Sequence, residues 1–546
     1  MRIYPVLFLI FSGLGVGVIA IIQNQNFYST YSAFYDSMGY FNQLAWVMQS
    51  TQDKGFWVAI TDSYSHSTVF LPWLFGALLS YVTEPSRILG VAIQMPLIIL
   101  QLFTGYRFFR STGASQGRAM VYSLPMITYP ALFNFNGGLG DFRMDLSQAL
   151  AYGSFLAALM VARKRDSLKE WVFVGFIISV ACLFRATTPV YVFIVLGTAF
   201  FLDLRKLGLT LSLQRYLLIG IVVILLTGWF YLLNYDHLHY YYFVWNTDAN
   251  ARLPLQDSIM HINFVAKHLG LPLLTALFVL MLAAVMRLIK CCRWRSFSFN
   301  WVALIGALVP ASYLVLSGAG LNPFVSMVAV PGFILFALNV GECTNSTEQT
   351  LSNRNLSIIL TIALAVSISN SIKDSKKDIS NWIPYKNGVA QLLDSIHNDA
   401  QSRRLNHIEL TFLYLGSVDG AVIKNHLIYE EGYKYLQNRD VNKDKMTVGT
   451  LQHGFGAEAE WIKIPGATDQ AKLDYVVKDT LEKANYIIMA DEDSDLPTHH
   501  RVNHYARQMR TILENNNEVE KLESGITLSK TEKVTVYRIK KNGYIK

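Results

Sequence analysis

The chain has 546 residues, of which 52% are apolar and only 16% are charged, so it is too apolar for an ordinary soluble protein of this length. Its formal net charge of +8 does not indicate a nucleic-acid-binding protein, because the Lys and Arg residues of the first 360 positions stand in short clusters between long uncharged runs. The four cysteines lie in or beside those runs, which excludes a disulfide framework and a CxxC metal site.

The first apolar run covers roughly residues 4–22 and has one preceding positive residue, Arg2, and no small-residue cleavage site. This pattern predicts a retained membrane anchor with a cytoplasmic N-terminus, and it places the aromatic-rich segment 23–57 outside. The next apolar run, at 69–82, is only about fourteen residues long and contains Pro72. We therefore predict an interfacial or re-entrant helix that does not cross the membrane.

The remaining membrane topology follows from two rules: a span needs about twenty apolar residues, and basic residues collect in cytoplasmic loops. Both rules agree if the basic clusters at 107–118, 163–165 and 287–295 are cytoplasmic. The sequence thus predicts an all-α membrane domain of about eleven transmembrane helices at 1–372, followed by an extracytoplasmic soluble domain at 373–546. The predicted spans are 4–22, 87–106, 119–135, 146–162, 171–187, 190–203, 216–233, 265–286, 299–317, 323–340 and 356–372.

An inverted topology stays open as an alternative. If 69–82 were a true span, every later loop would change sides and the basic clusters would face outward, against the positive-inside tendency. The glycosylation sequons at Asn345 and Asn355 fall on the predicted inner side, and none occurs in the external loops or the tail. This distribution favours a bacterial plasma membrane.

The polar tail alternates short β-branched runs with amphipathic helical patterns, which predicts a soluble α/β domain without a GxGxxG or P-loop signature. His499, His500 and His504 follow a group of acidic residues at 491–495, and they either hold a metal or simply begin a solvated helix; the helix is favoured. The predicted strands are 407–416, 484–493 and 533–541, and the predicted helices are 420–436, 468–484 and 499–514.

Asp36 is the first candidate catalytic residue. It lies in the segment FYDSMGYF among tyrosines, including Tyr35, that are typical of the headgroup level where a lipid phosphate lies. The alternative role is a helix N-cap, because Asp is a preferred capping residue and the following segment looks helical. His66, near the end of the same external segment, adds polar aromatic surface, and with Tyr35 it is a candidate substrate-binding residue.

Two further groups of charges are predicted on the same outer face. Asp141, Arg143 and Asp145 form the segment DFRMD at the outer start of a span, where they act on substrate or form a structural ion-pair clamp. Arg185 stands at the outer end of its span, against the tendency of arginines to collect inside. A guanidinium there is a permanently charged, bidentate ligand for phosphate, or else it extends to lipid headgroups.

These segments together resemble the GT-C glycosyltransferase superfamily, especially its protein O-mannosyltransferase and aminoarabinose transferase branch. The resemblance covers roughly residues 1–340 and rests on the order and spacing of four segments. They are YDSMGYF with Asp36, SHSTVFLPW, GLGDFRMDLSQALAYG and NPFVSMVAVPGFILF.

The resemblance implies a polyprenyl-phosphate sugar donor, a lipid, glycan or protein acceptor, inversion at the anomeric carbon, and an aspartate base in the first external loop. Asp36 matches that base, but Ser37 replaces the second acid of the Asp-Glu pair in the mannosyltransferases, so a divalent metal stays open and no cofactor is specified. Independently of the family, a phosphate leaves without an acid catalyst. One base and one cation therefore suffice, and Asp36 and Arg185 supply them. Asp141, the second candidate catalytic residue, and Arg143 are orienting or further charge-stabilising groups. The alternatives are a secondary transporter and a non-catalytic envelope assembly protein.

Overall fold

The structure is a computed structural model, in which the chain folds into two compact units. The helical unit comprises Met1–Gln25, Ile60–Phe75 and Ile88–Lys377, and the mixed unit comprises Asn26–Ala59, Gly76–Arg87 and Asp378–Lys546. The structure describes residues 3–23, 35–64, 67–127, 130–134, 138–239, 270–290, 298–316, 326–342, 347–382, 386–405, 407–413, 434–435, 447–451, 469–492, 494 and 501–540.

The described residues before 383 are almost entirely helical. Three short 3-10 segments, Leu124–Met126, Pro130–Phe133 and Leu139–Asp141, lie between the helices Gln116–Ser123 and Met144–Arg165. The helices are α1 (Ile3–Gln23), α2 (Tyr35–Lys54), α3 (Phe56–Tyr64), α4 (Leu71–Leu79), α5 (Arg87–Thr112), α6 (Gln116–Ser123), α7 (Met144–Arg165), α8 (Leu168–Phe184), α9 (Thr188–Leu207), α10 (Leu209–Leu233), α11 (Tyr235–His239), α12 (Leu271–Lys290), α13 (Ser298–Leu316), α14 (Ser326–Glu342) and α15 (Thr347–Trp382).

Helix α7 is the centre of the helical unit, and every residue from 144 to 162 is buried. It packs against α8, α13 and α14, and small residues make these approaches close. A Cβ atom at Gly153 would lie 2.1 Å from Gln101 Nε2 and 2.7 Å from Pro331 Cβ. Between the same helices, the Tyr152 hydroxyl donates to the Gly306 carbonyl oxygen at 2.9 Å. Close helix contact, rather than lipid, therefore surrounds α7.

Helix α10 has the opposite character. It is more apolar than α7, yet Leu225 and Leu232 are more than two thirds exposed. Apolar side chains on the outside of a helical unit are stable when the solvent is lipid. Four described helices are long and apolar enough to cross a membrane, namely Tyr4–Ile22, Arg87–Thr112, Met144–Arg165 and Leu209–Leu233.

The predicted total of about eleven spans is thus reached only in part by the described residues. Shorter or more polar helices, α8, α9 and α12 to α15, overlap the other predicted spans after residue 170. The short run 69–82 forms the nine-residue helix α4, which extends about 14 Å and is too short to cross a bilayer.

The run at 119–135 corrects the sequence prediction of one continuous span. Helix α6 ends at Ser123, and the chain continues through the 3-10 segments Leu124–Met126 and Pro130–Phe133. The physical reason is proline: Pro125 and Pro130 lack the backbone N–H that an α-helix needs and clash with the preceding turn.

The C-terminal part folds as a mixed sheet with helices, as the α/β pattern predicted. The elements are α16 (Lys386–Ser402), β1 (His407–Phe412), β2 (Lys434–Tyr435), β3 (Thr447–Leu451), α17 (Asp469–Lys483), β4 (Tyr486–Ala490), α18 (Arg501–Glu514), β5 (Val519–Thr527) and β6 (Lys533–Ile539). The strand order is β2-β3-β1-β4-β6-β5. Strands β2, β3, β1 and β4 are parallel, whereas β6 is antiparallel to β4 and to β5.

Strands β1, β4 and β6 and helices α17 and α18 confirm the elements predicted there. The predicted helix 420–436 lies outside the described residues except at Lys434–Tyr435, which form strand β2. Helix α2, which carries Asp36, belongs to the mixed unit and contacts β2. The first predicted external segment therefore shares a compact unit with the C-terminal domain.

Candidate functional site

A buried carboxylate and two guanidinium groups meet at the N-terminal end of α7. Asp145 lies 3.4 Å from Arg143 and 3.5 Å from Arg185, measured between Asp145 oxygens and guanidinium nitrogens. We call these three residues the Asp145 cluster. One negative charge faces two positive charges, so the cluster has a net positive charge at neutral pH. All three residues were candidates from the sequence, and the structure brings them together.

Local backbone structure places Asp145 and Arg143. Asp141 ends a 3-10 segment, Phe142 takes the left-handed conformation at φ 51°, and Arg143 is the extended N-cap of α7. This reversal puts Asp145 in the first turn of the helix, where the helix dipole favours a negative charge. Asp141, like Asp145, is buried.

Hydrogen bonds of the backbone around Arg185 fix its position. It is the extended C-cap of α8, and its carbonyl oxygen accepts a 2.7 Å hydrogen bond from the Thr188 hydroxyl. The segment after the first external loop runs alongside: the Phe70 N–H donates to Leu183 O at 2.8 Å, and the Ala186 N–H donates to Thr68 O at 3.1 Å. These backbone bonds hold the Arg185 side chain beside α7.

The contacts inside the Asp145 cluster are long for charge-assisted hydrogen bonds, which are about 2.7–2.9 Å. The Arg185 side chain is 13% exposed, against 2% for Asp145. Arg185 is therefore the member of this pair that an incoming anion reaches first.

A different ion pair marks the other end of α7. Arg163 contacts Asp203 at 2.7 Å through Nη2 and at 3.0 Å through Nε, and Asp203 also accepts from the Tyr216 hydroxyl at 2.9 Å. Arg107 lies 2.5 Å from Glu170 at the same end. From Asp145 to Arg163 the helix extends about 27 Å, nearly the thickness of a bilayer core.

Arg185 therefore lies at the opposite end of α7 from Arg163 and Arg107, two of the basic residues that were predicted to be cytoplasmic. Which end faces the cytoplasm stays a prediction.

The other three candidate residues from the sequence, Asp36, Tyr35 and His66, have side chains outside the described part of the chain. Tyr35 and Asp36 are the first two residues of α2. The predicted convergence of Asp36 and Arg185 stays a prediction.

The polar residues that support the cluster were not predicted from the sequence. Gln148, one turn after Asp145, donates to the Thr187 and Thr188 hydroxyls at 3.1 and 3.2 Å. Ser67 accepts from the Trp73 indole N–H at 2.9 Å and, through its carbonyl, from the Asn234 amide at 2.5 Å. Uncharged polar residues inside apolar runs were the available signal.

A divalent metal does not fit the Asp145 cluster, because two guanidinium groups already surround its one carboxylate and would repel a cation. Within the part of the chain that the structure describes, no three His, Cys, Asp or Glu side chains are grouped to hold a metal ion. The histidines proposed for a metal in the tail have side chains outside that part.

Two solved structures of ArnT from Cupriavidus metallidurans match nearly the whole chain. The structure bound to undecaprenyl phosphate matches with a TM-score of 0.54 and 12% identity, over 98% of this chain and 98% of that chain. The apo structure matches with a TM-score of 0.56 and 13% identity, over 96% and 97%. The chain has the GT-C fold.

The resemblance inferred from sequence is thus confirmed at the level of fold, and the apolar helices are those of an integral membrane protein. The apo oligosaccharyltransferase of Archaeoglobus fulgidus is similar at a TM-score of 0.49 and 13% identity, over 88% of this chain and 70% of that chain. No protein-family model and no curated protein sequence matches the chain. The fold alone does not specify an activity, which depends on the residues of the site.

Proposed function

We propose that this chain is a membrane glycosyltransferase that moves a sugar from a polyprenyl-phosphate donor to a hydroxyl of a lipid, glycan or protein acceptor. The observation that carries the proposal is the Arg185 guanidinium, fixed by backbone bonds at one end of the membrane helices and partly exposed beside Arg143 and Asp145. The GT-C fold supports it, since the ArnT structure that matches almost end to end is bound to undecaprenyl phosphate.

Arg185 would hold the donor phosphate. A guanidinium is permanently charged, offers several N–H donors in one plane, and is weakly hydrated, which suits a phosphate at a lipid headgroup. As the glycosidic C–O bond breaks, negative charge grows on the phosphate oxygen, and a fixed cation there lowers the barrier. Because phosphate is a good leaving group, the reaction needs no acid.

Asp36 would act as the base. It takes the proton of the acceptor hydroxyl while the acceptor oxygen attacks the anomeric carbon from the side opposite the phosphate. One C–O bond forms, one breaks, and the proton passes to the carboxylate, so the sugar is transferred with inversion. Its position in the sequence supports this role: Asp36 lies in the first turn of α2, and α2 is followed in the chain by α3 and by the segment beside Arg185.

The transfer assay that tests this proposal uses the purified full chain in nanodiscs with undecaprenyl phosphate carrying a panel of hexoses and pentoses. Release of undecaprenyl phosphate, with a matching glycosylated acceptor, is the expected result. Arg185→Ala should reduce transfer by about a hundredfold and Arg185→Lys by less, because Lys keeps the charge and loses the planar fork. The matched control is the exposed Arg118→Gln, which should be active.

Equal activity of Arg185→Ala and Arg118→Gln would overturn the phosphate-binding role. Uptake of a solute into vesicles without any lipid-linked sugar would instead indicate the transporter alternative.

We further propose that the Asp145 end faces outward from a bacterial plasma membrane, with residues 1–372 as the catalytic domain and 373–546 outside. The support is the basic cluster around Arg163 and Arg165 at the other end of α7. A reporter enzyme that is active only outside the cytoplasm, fused after Lys546, should be active. A silent reporter with a folded chain would favour the inverted topology.

A further inference from the structure

A side-chain clamp joins the end of α10 to the segment that runs beside Arg185. The Asn234 Nδ2 group donates to the Ser67 carbonyl oxygen at 2.5 Å, and both groups are buried. The Asn234 backbone N–H donates to Phe230 O at 3.1 Å, so the amide is anchored at the helix end. Phe70 stacks edge-to-face on Trp229 of the same helix, with ring centroids 4.8 Å apart.

The clamped segment is the one that pairs with the backbone around Arg185. Ser67 is followed by Thr68, whose carbonyl oxygen accepts from the Ala186 N–H, and Phe70 donates to Leu183. Two hydrogen bonds thus connect Asn234 with Ala186, the residue after Arg185. One is the side-chain bond from Asn234 to Ser67, and the other is the backbone bond from Ala186 to Thr68. Moving Ser67 would move the segment that holds the guanidinium.

The orientation of the Asn234 amide is set by this bond. The opposite orientation would bring two carbonyl oxygens to 2.5 Å, which is repulsive. In the observed orientation the amide oxygen is buried and has no hydrogen-bond partner among the residues that the structure describes. An unpaired buried carbonyl costs about as much as one hydrogen bond gains, so the side chain adds little net stability. Residues that depart from the rule that buried polar atoms are hydrogen-bonded are commonly found at functional sites.

We propose that Asn234 is a positioning residue for phosphate recognition: it fixes the 67–70 segment and thereby the guanidinium of Arg185. The inference rests on the proposed function and deepens it, because it assigns a residue distant in sequence to the phosphate site. It predicts that substitution of Asn234 weakens the binding of lipids that carry a phosphate and does not change the binding of the same lipid without one.

The test is equilibrium binding of undecaprenyl phosphate and of undecaprenol to the purified full chain in nanodiscs. Asn234→Leu, of similar volume and without a donor, should weaken undecaprenyl phosphate binding about fivefold and leave undecaprenol binding unchanged. Thr227→Val is the matched control, because the Thr227 hydroxyl is buried in the same helix and donates only locally, to Val223 O at 2.8 Å. The control should bind both lipids like the wild type.

A double-mutant cycle separates positioning from general structure. In an Arg185→Ala background, Asn234→Leu should cause no further loss of phosphate-lipid binding, because the group it positions is gone. Additive losses, or equal losses for undecaprenol, would overturn the proposal.

The same binding experiment distinguishes a failure of the proposed function from a failure of the positioning role of Asn234. If wild type does not prefer undecaprenyl phosphate over undecaprenol and Arg185→Ala changes nothing, the proposed function fails. If Arg185→Ala abolishes the preference and Asn234→Leu keeps it, only the positioning role fails.

Discussion

Asp145 and Arg185 meet at 3.5 Å from two different helices, and Arg143 approaches the same carboxylate at 3.4 Å. In the proposed function the carboxylate therefore competes with the donor phosphate for the guanidinium groups. This competition weakens phosphate binding. Weaker binding in turn allows the product phosphate to be released. The arrangement also explains how the buried Arg143 and the partly buried Arg185 are stable side by side before substrate binds.

Asp145→Asn tests this competition. We expect the variant to bind undecaprenyl phosphate about tenfold more tightly, because one negative charge close to the phosphate disappears. We also expect a loss of roughly 3 kcal/mol in the free energy of unfolding, since a negative charge between two guanidinium groups disappears. Equilibrium lipid binding and thermal unfolding in detergent measure the two effects. Weaker phosphate binding would show that Asp145 orients the arginines rather than competing for them.

Asp36→Asn tests the base. We expect transfer to fall by about two decades or more, with binding of undecaprenyl phosphate unchanged, because the amide cannot accept the proton of the acceptor. The control is Asp53→Asn, an exposed residue of the same helix α2. Transfer at the wild-type rate in Asp36→Asn would leave Asp36 with a helix-stabilising role and would end the single-base mechanism.

Several elements could be predicted from the sequence because one dominant force fixes each of them. Long apolar runs bounded by basic clusters marked α1, α5, α7 and α10, and Arg185 was identified because its position breaks the positive-inside pattern. In the tail, β1, β4 and β6 were predicted since they are short β-branched runs that become buried strands.

The missed elements depend on tertiary contacts or on backbone irregularity. Strand β5 has register shifts between Lys521 and Glu523 and between Glu523 and Ile526, which break the alternation of apolar and polar residues that marks a strand. The clamp between Ser67 and Asn234 joins residues 167 positions apart, and no local pattern reports such a contact. Pro125 and Pro130 mark the break after α6 in the sequence, but the mean hydropathy of the run 119–135 does not register single prolines.

The ion pair between Arg163 and Asp203 should be structural. Both side chains are almost fully buried, at 3% and 4% exposed, and the guanidinium donates through two nitrogens. We expect Asp203→Asn to lower the free energy of unfolding by about 3 kcal/mol, because it removes a negative charge that a buried guanidinium contacts through two nitrogens. Transfer per folded molecule should be unchanged. A Met and Leu pair at positions 163 and 203 should restore most of the stability, and a lasting loss of transfer there would contradict a purely structural role.

Arg538 joins the two antiparallel strands of the C-terminal sheet to α16. It contacts the buried Asp399 at 2.6 Å and Glu520, on the neighbouring strand, at 3.0 Å. Lys540 is half exposed and lies 3.7 Å from the same Glu520 carboxylate. The closer cation, Arg538, therefore dominates the environment of Glu520.

The pair of Arg538 and Glu520 has a defined pH dependence. The hydrogen bond from Arg538 holds the pKa of Glu520 below that of an ordinary glutamate. A carboxyl group whose pKa is lowered by folding stabilises the fold above its unfolded pKa and loses that contribution as the pH falls through the lowered value. Glu520→Gln should therefore reduce the acid sensitivity of hydrogen exchange in β5 and β6, measured on the full chain. Identical acid profiles for the variant and the wild type would show that other carboxyl groups dominate.

Gly153 gives the sharpest test of packing around α7. A Cβ there would lie 2.1 Å from Gln101 Nε2 and 2.7 Å from Pro331 Cβ. The Gln101 amide can rotate away, but the Pro331 ring is rigid, so Gly153→Ala requires α7 to move away from Pro331. Overpacking of this kind costs about 1–3 kcal/mol, which outweighs the gain of up to about 1 kcal/mol that alanine brings inside a helix. Gly220→Ala is the matched control, because a Cβ at that position in α10 meets nothing within 4 Å. We expect thermal unfolding in detergent to show a lower midpoint for Gly153→Ala and an unchanged or higher midpoint for Gly220→Ala. Equal midpoints for the two variants would show that α7 is not closely packed there. Because Asp145 lies two turns before Gly153 on the same helix, Gly153→Ala should also weaken binding of undecaprenyl phosphate.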